Sequence, residues 1–154
     1  MKNYLKHGIG WTLLASMVFL NGCQTADQAD SGAMASVEIS HHTKAEIQRA
    51  VAEAFQANHY QSVNRLTYEK QGTGWDKAAY GGWSSNPVWI RMRVNIASTG
   101  PSEFILACNA FAVVDRNQGG IEEEKKLSVS YRSECKKILD DAKALLDSPN
   151  AAAQ

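Results

Sequence analysis

The sequence predicts an α+β domain with two amphipathic helices on one face of a three- or four-stranded antiparallel sheet. The expected order is α-β-β-β-α, with or without a short leading strand. Three observations carry this. Trp89 to Ala97 alternates strictly between apolar and polar side chains. Two other segments, around Ile47 and around Ile138, repeat their apolar residues at helical spacing. The alternating segment is polar on its second side, as in a sheet covered by helices on one face only.

The elements follow in order. Val37 to Ser40 is short and apolar enough for a leading strand. Thr43-Lys44-Ala45-Glu46 has the spacing of a capping box, in which Thr43 accepts from first-turn N–H groups and Glu46 reaches back. Ile47, Ala50, Val51, Ala54 and Phe55 then form one apolar helix face, and Asn58 and His59 suit its end. Ser62 to Gln71 alternates, with Leu66 and Tyr68 on one side, and predicts one strand. Gly72 to Pro87, rich in Gly, Ser, Asn and Trp, predicts a long loop. In the next strand Ile90, Met92, Val94 and Ile96 point inward, while Arg91, Arg93 and Asn95 point outward. Ser98 to Pro101 is turn chemistry, and Glu103 to Asp115 predicts a central strand, apolar on both faces for part of its length. Arg116 to Gly120 predicts another turn. Glu122-Glu123-Glu124-Lys125-Lys126 predicts a solvated run leading into the last helix, whose start favours acids. That helix carries the stripe Tyr131, Cys135, Ile138, Ala142 and Leu145, broadened by Leu139 and Leu146, and Ser148-Pro149 stops it. No internal repeat is present.

The first 22 residues read as a leader. Met1 to His7 is polar with Lys2 and Lys6, and Gly8 to Leu20 is an uncharged run of 13 residues. A membrane-spanning helix needs ~20 such residues, so this run has the length of a signal-peptide apolar region. Leu20-Asn21-Gly22-Cys23 follows directly and resembles the lipobox of bacterial lipoproteins, with Asn21 a less usual occupant of its position. The resemblance implies cleavage before Cys23, acylation of its thiol and a cell-envelope location anchored to a membrane. In that class Gln24, where an aspartate would favour the inner membrane, implies the outer one. Gln24 to Ser36 is small and polar, and reads as a tether of ~20 Å mean span. The expected organisation is leader 1–22, tether 23–36, one domain 37–148 and a frayed tail 149–154. Its element order is similar to that of several small envelope lipoproteins, an analogy of architecture alone.

Composition limits the partners. The chain has 154 residues with 16 basic and 16 acidic side chains, and removal of Lys2 and Lys6 leaves a net charge near −2. There is no basic stripe of the kind nucleic acid requires, and the folded part does not look drawn to anionic lipid. Of three cysteines, lipidation uses Cys23 and leaves Cys108 and Cys135, an even number in an oxidising compartment. Both are expected in the layer between helix and sheet, so a disulfide is geometrically reasonable, and its loop of about 27 residues is worth ~3 kcal/mol in the chain-entropy model. Two reduced core thiols are the alternative. The spacing is not that of a redox-active Cys-x-x-Cys.

The candidate binding surface is the aromatic segment Gly72 to Trp89 with its neighbours: Trp75, Tyr80, Trp83, Trp89, Arg91 and Arg93. All three tryptophans after the leader fall there. Aromatic rings beside glycines and polar groups can stack on a sugar or anchor a protein contact. They can equally fold back to cap the sheet, and the arginines can be an ordinary solvated face. No metal, cofactor or catalytic set is expected. His41, His42 and His59 lack ligand spacing, the acidic run at Glu122 is a weak calcium candidate at best, and there is no Gly-x-Ser-x-Gly or phosphate loop. The expected function is a non-catalytic envelope module working through contacts with another envelope protein. The alternative is small-ligand binding, of glycan or cell-wall fragments, through residues 72–89.

Overall fold

The computed structural model describes residues 32–81, 86–116, 122–127 and 129–148. The predicted leader and Cys23, Trp83, most of the Arg116–Gly120 turn and the tail 149–154 lie outside them. The described residues form an α+β unit with six antiparallel strands and three helices. The strands are β1 (Ala35–Ser40), β2 (Gln61–Asn64), β3 (Thr67–Gln71), β4 (Trp89–Gly100), β5 (Glu103–Val114) and β6 (Glu123–Lys126). The helices are α1 (Lys44–Ala57), α2 (Gly74–Tyr80) and α3 (Arg132–Leu146), the last preceded by a 3-10 turn at Val129–Tyr131. The sheet order is β1-β5-β4-β3-β2, and β6 also pairs with β5. β1 takes residues 103–108 of β5 and β6 takes 111–114, so the two short strands sit end to end along one edge of the longest pair.

The α+β expectation holds, but its count of three or four strands is too low, and four local readings change. The leading strand is real and starts at Ala35, so Ala35 and Ser36 of the expected tether belong to the sheet. Ser62 to Gln71 is not one strand but the hairpin β2–β3. Asn64 breaks the run: its side-chain Oδ1 accepts from Leu66 N–H at 3.3 Å and so closes the chain into a turn. The expected loop 72–87 contains α2. The acidic run is β6 rather than a lead-in to a helix, because β5 offers it an open edge and β4 offers its glutamates arginine partners.

One face of the sheet is the core face. Ile90, Met92, Val94 and Ile96 of β4 pair across with Ala112, Ala110, Cys108 and Leu106 of β5. With Val37 and Ile39 of β1 and Tyr68 of β3 they join the buried faces of α1 and α3 in one cluster. The α1 face is the predicted one, Ile47, Ala50, Val51, Ala54 and Phe55, all buried. Its capping box forms as expected: Thr43 N–H donates to Glu46 Oε2 at 2.7 Å, and Glu46 N–H donates to Thr43 Oγ1 at 3.3 Å. Phe55 stacks on Tyr68 with ring centroids 4.2 Å apart, and Tyr60 meets it edge-on at 5.4 Å. Cys135 of α3 reaches Cys108, the sulfurs 3.2 Å apart as free thiols, with Met92 Sδ 3.9 Å from Cys135. Contact with Cys135 and burial both push the Cys108 thiol pKa upward, which keeps it protonated.

Candidate functional site

The second face of the sheet carries the charged and aromatic residues. Strand alternation places Glu69 of β3, Trp89, Arg91 and Arg93 of β4, Phe111 of β5, and Glu124 and Lys126 of β6 on it. The register sets Glu69, Arg91, Phe111 and Lys126 side by side across four strands. Arg91 is the hub. Its guanidinium donates to Glu69 and to Glu124, and to Glu122 at 3.0 Å. Arg93 shares Glu124 at 2.7 Å and lies 4.9 Å from the centre of the Phe111 ring. Arg116 closes the far side, 3.0 Å from the second oxygen of Glu69 and 4.2 Å from the centre of the Trp89 ring.

These charges differ in burial. The Glu69 side chain is 1% exposed and that of Arg91 is 11% exposed, whereas Arg93 is 48% exposed. Burial alone would lower the pKa of Arg91, but hydrogen bonds to Glu124, Glu69 and Glu122 outweigh it and raise the value. Arg91 therefore carries a permanent charge at the centre of a group with three cations and three anions. One oxygen of Glu69 accepts from Arg91, and the other, buried and without a hydrogen bond, is ion-paired to Arg116 at 3.0 Å.

The aromatic segment is not one platform. Tyr80 packs against the core cluster, Trp75 projects outward at 79% exposure, and Trp89 lies against Arg116 on the second face. Trp83 is outside the described residues, as is Cys23. The structure thus brings Trp89, Arg91 and Arg93 together and separates them from Trp75 and Tyr80. Glu69, Phe111, Arg116, Glu122 and Glu124 complete the group. Sequence reasoning missed them because their partners lie on other strands.

A second polar group ties α2 to α3. Thr73 and Asp76 form a capping box at the start of α2, with Thr73 N–H donating to Asp76 Oδ2 at 2.7 Å. Tyr131 donates its hydroxyl to the other oxygen of Asp76. Burial raises the Asp76 pKa, but the hydrogen bonds from Tyr131 and Thr73 outweigh it and leave the carboxyl below its ordinary range. Burial and the Asp76 partner push the Tyr131 pKa upward. Nearby, Lys70 pairs with Glu134, which also accepts from Tyr60 at 3.1 Å. At the end of α2, Gly81 approaches so closely that a Cβ would meet the Lys77 carbonyl at 2.6 Å.

Among the described residues no set of three His, Cys, Asp or Glu side chains is placed to hold a metal, and no helix is long and apolar enough to cross a membrane. Fold and site together describe an antiparallel α+β domain with one face under helices and the other occupied by an arginine–glutamate–aromatic group. No family model matches the chain, and comparison with curated proteins gives no significant match.

Proposed function

We propose that this chain is a lipid-anchored envelope module that binds a protein partner through the second face of its sheet. The observation that carries the reading is the group centred on Arg91. The buried faces of α1 and α3 belong to the core on the opposite side of the sheet, and the Arg93 side chain, over the Phe111 ring, is 48% exposed. Arginine and aromatic side chains are the types enriched at the centres of protein contacts. The balanced charges of the group limit long-range steering, so affinity would come from short-range complementarity. Anchoring rests on the lipobox-like Leu20-Asn21-Gly22-Cys23, with the outer membrane favoured by Gln24.

The test is site-specific photo-crosslinking in intact cells. A photoreactive residue at Arg93 or Asn95 is expected to trap a discrete partner, and the same probe at Glu53 on the exposed side of α1 is expected to trap none. Equal trapping at all three positions would reject the face. Anchoring is tested separately: Cys23→Ser is expected to move the protein from the membrane fraction to the soluble one.

A further inference from the structure

The domain has a second surface feature that the partner-binding face does not use. Trp75, the most exposed large apolar residue described, stands at 79% exposure on α2, and Val129 is 68% exposed on the turn before α3. A tryptophan side chain pairs a large apolar ring with a polar N–H, which is why tryptophan is enriched at contacts and in membrane-interface belts. The two are tied to one end of the molecule. Asp76, next to Trp75, is bonded to Tyr131, two residues after Val129.

That end is also where the chain joins the domain. Lys126 of β6 donates to the Gly32 carbonyl at 2.8 Å. Arg132, the first residue of α3, lines a shallow groove with Ala33, Met34 and Ala35. β1 then runs away from this end. Only nine residues, 23–31, separate Gly32 from the expected lipid attachment. Whatever path they take, they reach no further than roughly 30 Å. The end bearing Trp75 and Val129 therefore lies within reach of any membrane that Cys23 is anchored in.

We propose that this end rests on the lipid surface, with the Trp75 indole and the Val129 side chain seated among the headgroups. The proposal rests on the reading of Cys23 as lipidated. Tryptophan suits the site because its ring is apolar while its N–H remains hydrated at the interface. The local charges favour the same contact. Arg132 adds positive charge at the start of α3, Asp76 is turned inward to Tyr131, and Glu123 lies 3.5 Å from Lys125. The lipid supplies most of the attachment, and Trp75 fixes the orientation of the domain upon it. This local surface differs from the whole-chain expectation, which saw no attraction to lipid because the overall charge is slightly negative.

The test uses the lipidated mature protein reconstituted into phosphatidylcholine vesicles whose acyl chains carry bromine, with and without phosphatidylglycerol. Bromine quenches indole emission only at close range. Emission of the wild type is expected to be quenched. Trp75→Ala is expected to lose most of that quenching with unchanged thermal unfolding, since the side chain is exposed. Val129→Asp is expected to reduce the quenching as well. Equal quenching in wild type and Trp75→Ala, or none in either, overturns the proposal. Mass analysis of Cys23 separates the two readings. A missing lipid sinks the anchor and this contact together, whereas a lipidated protein with unquenched Trp75 sinks this contact alone.

Discussion

Cys108 and Cys135 meet sulfur to sulfur at 3.2 Å in the buried layer where α3 crosses β5. Each is 0% exposed. In an oxidising compartment these thiols are expected to lose two protons and two electrons to a disulfide donor and become a cross-link. Because neither is reachable in the folded domain, oxidation has to take place before α3 docks. Protein recovered from an oxidising compartment should then be about 2 Da lighter than the same protein after reduction. Cys108→Ser with Cys135→Ser should lose roughly 3 kcal/mol of stability for a separation of 27 residues. Complete alkylation of both thiols in unfolded, unreduced protein would show that they remain free.

Arg91 and Arg93 are neighbours on one strand face, yet they should respond very differently to the same change. Arg91→Met leaves Glu69, 1% exposed, with Arg116 as its remaining ion-pair partner among the described residues. Breaking a buried pair from one side costs ~3 kcal/mol or more. Arg93→Met removes a half-exposed pair and should cost under ~1 kcal/mol. Urea unfolding of the two variants measures the contrast, and equal losses would mean that Arg91 is not the structural hub.

Asp76 should make the domain sensitive to acid. Its folded pKa is lowered, so the stability it supplies is present above the unfolded value of 3.8 and is lost as pH falls through the folded value. The difference in unfolding free energy between wild type and Asp76→Asn should therefore be largest near neutrality and shrink in strong acid. A difference that does not change with pH would show that the carboxylate charge is not what matters.

The capping threonine of α1 offers a smaller and cleaner effect. Thr43→Ala removes the acceptor for Glu46 N–H at an exposed helix start and should cost ~1 kcal/mol. Thr43→Ser should restore most of it, because serine supplies the same oxygen. Thermal unfolding of the pair distinguishes loss of the cap from loss of the methyl group.

Where the sequence could be read, the information was local and periodic. The α1 stripe, the inward face of β4 and the shared burial of Cys108 and Cys135 all follow from spacing along one segment. The start of α2 reads as loop, although Thr73-Gly74-Trp75-Asp76 has the same spacing as Thr43-Lys44-Ala45-Glu46, with aspartate closing the box. Its glycine and aromatic content hid it among turn signals. β6 was not legible. Glu123 to Lys126 has no strand-forming side chain, and it pairs only because β5 extends beyond β1 and Arg91 and Arg93 await Glu124. For the same reason the residues of the second face could be named singly, as Trp89, Arg91 and Arg93, but not as a group. Five of its eight residues come from three other segments.

The way β1 is laid against β5 also determines how the domain would bear a mechanical load. The strand lies at the sheet edge, with its register running from Ala35 opposite Cys108 to Ser40 opposite Glu103. Where tension enters at residue 32 along the axis of β1, it loads the strand lengthwise against β5. The hydrogen bonds of the β1–β5 ladder are then strained together in shear instead of opening one after another like a zip. Lys143, holding the Glu38 carbonyl from α3 at 3.0 Å, clips the same strand from its outer side. Such an attachment resists a tug far better than a peeled hairpin would, as the N-terminal anchor proposed above would require.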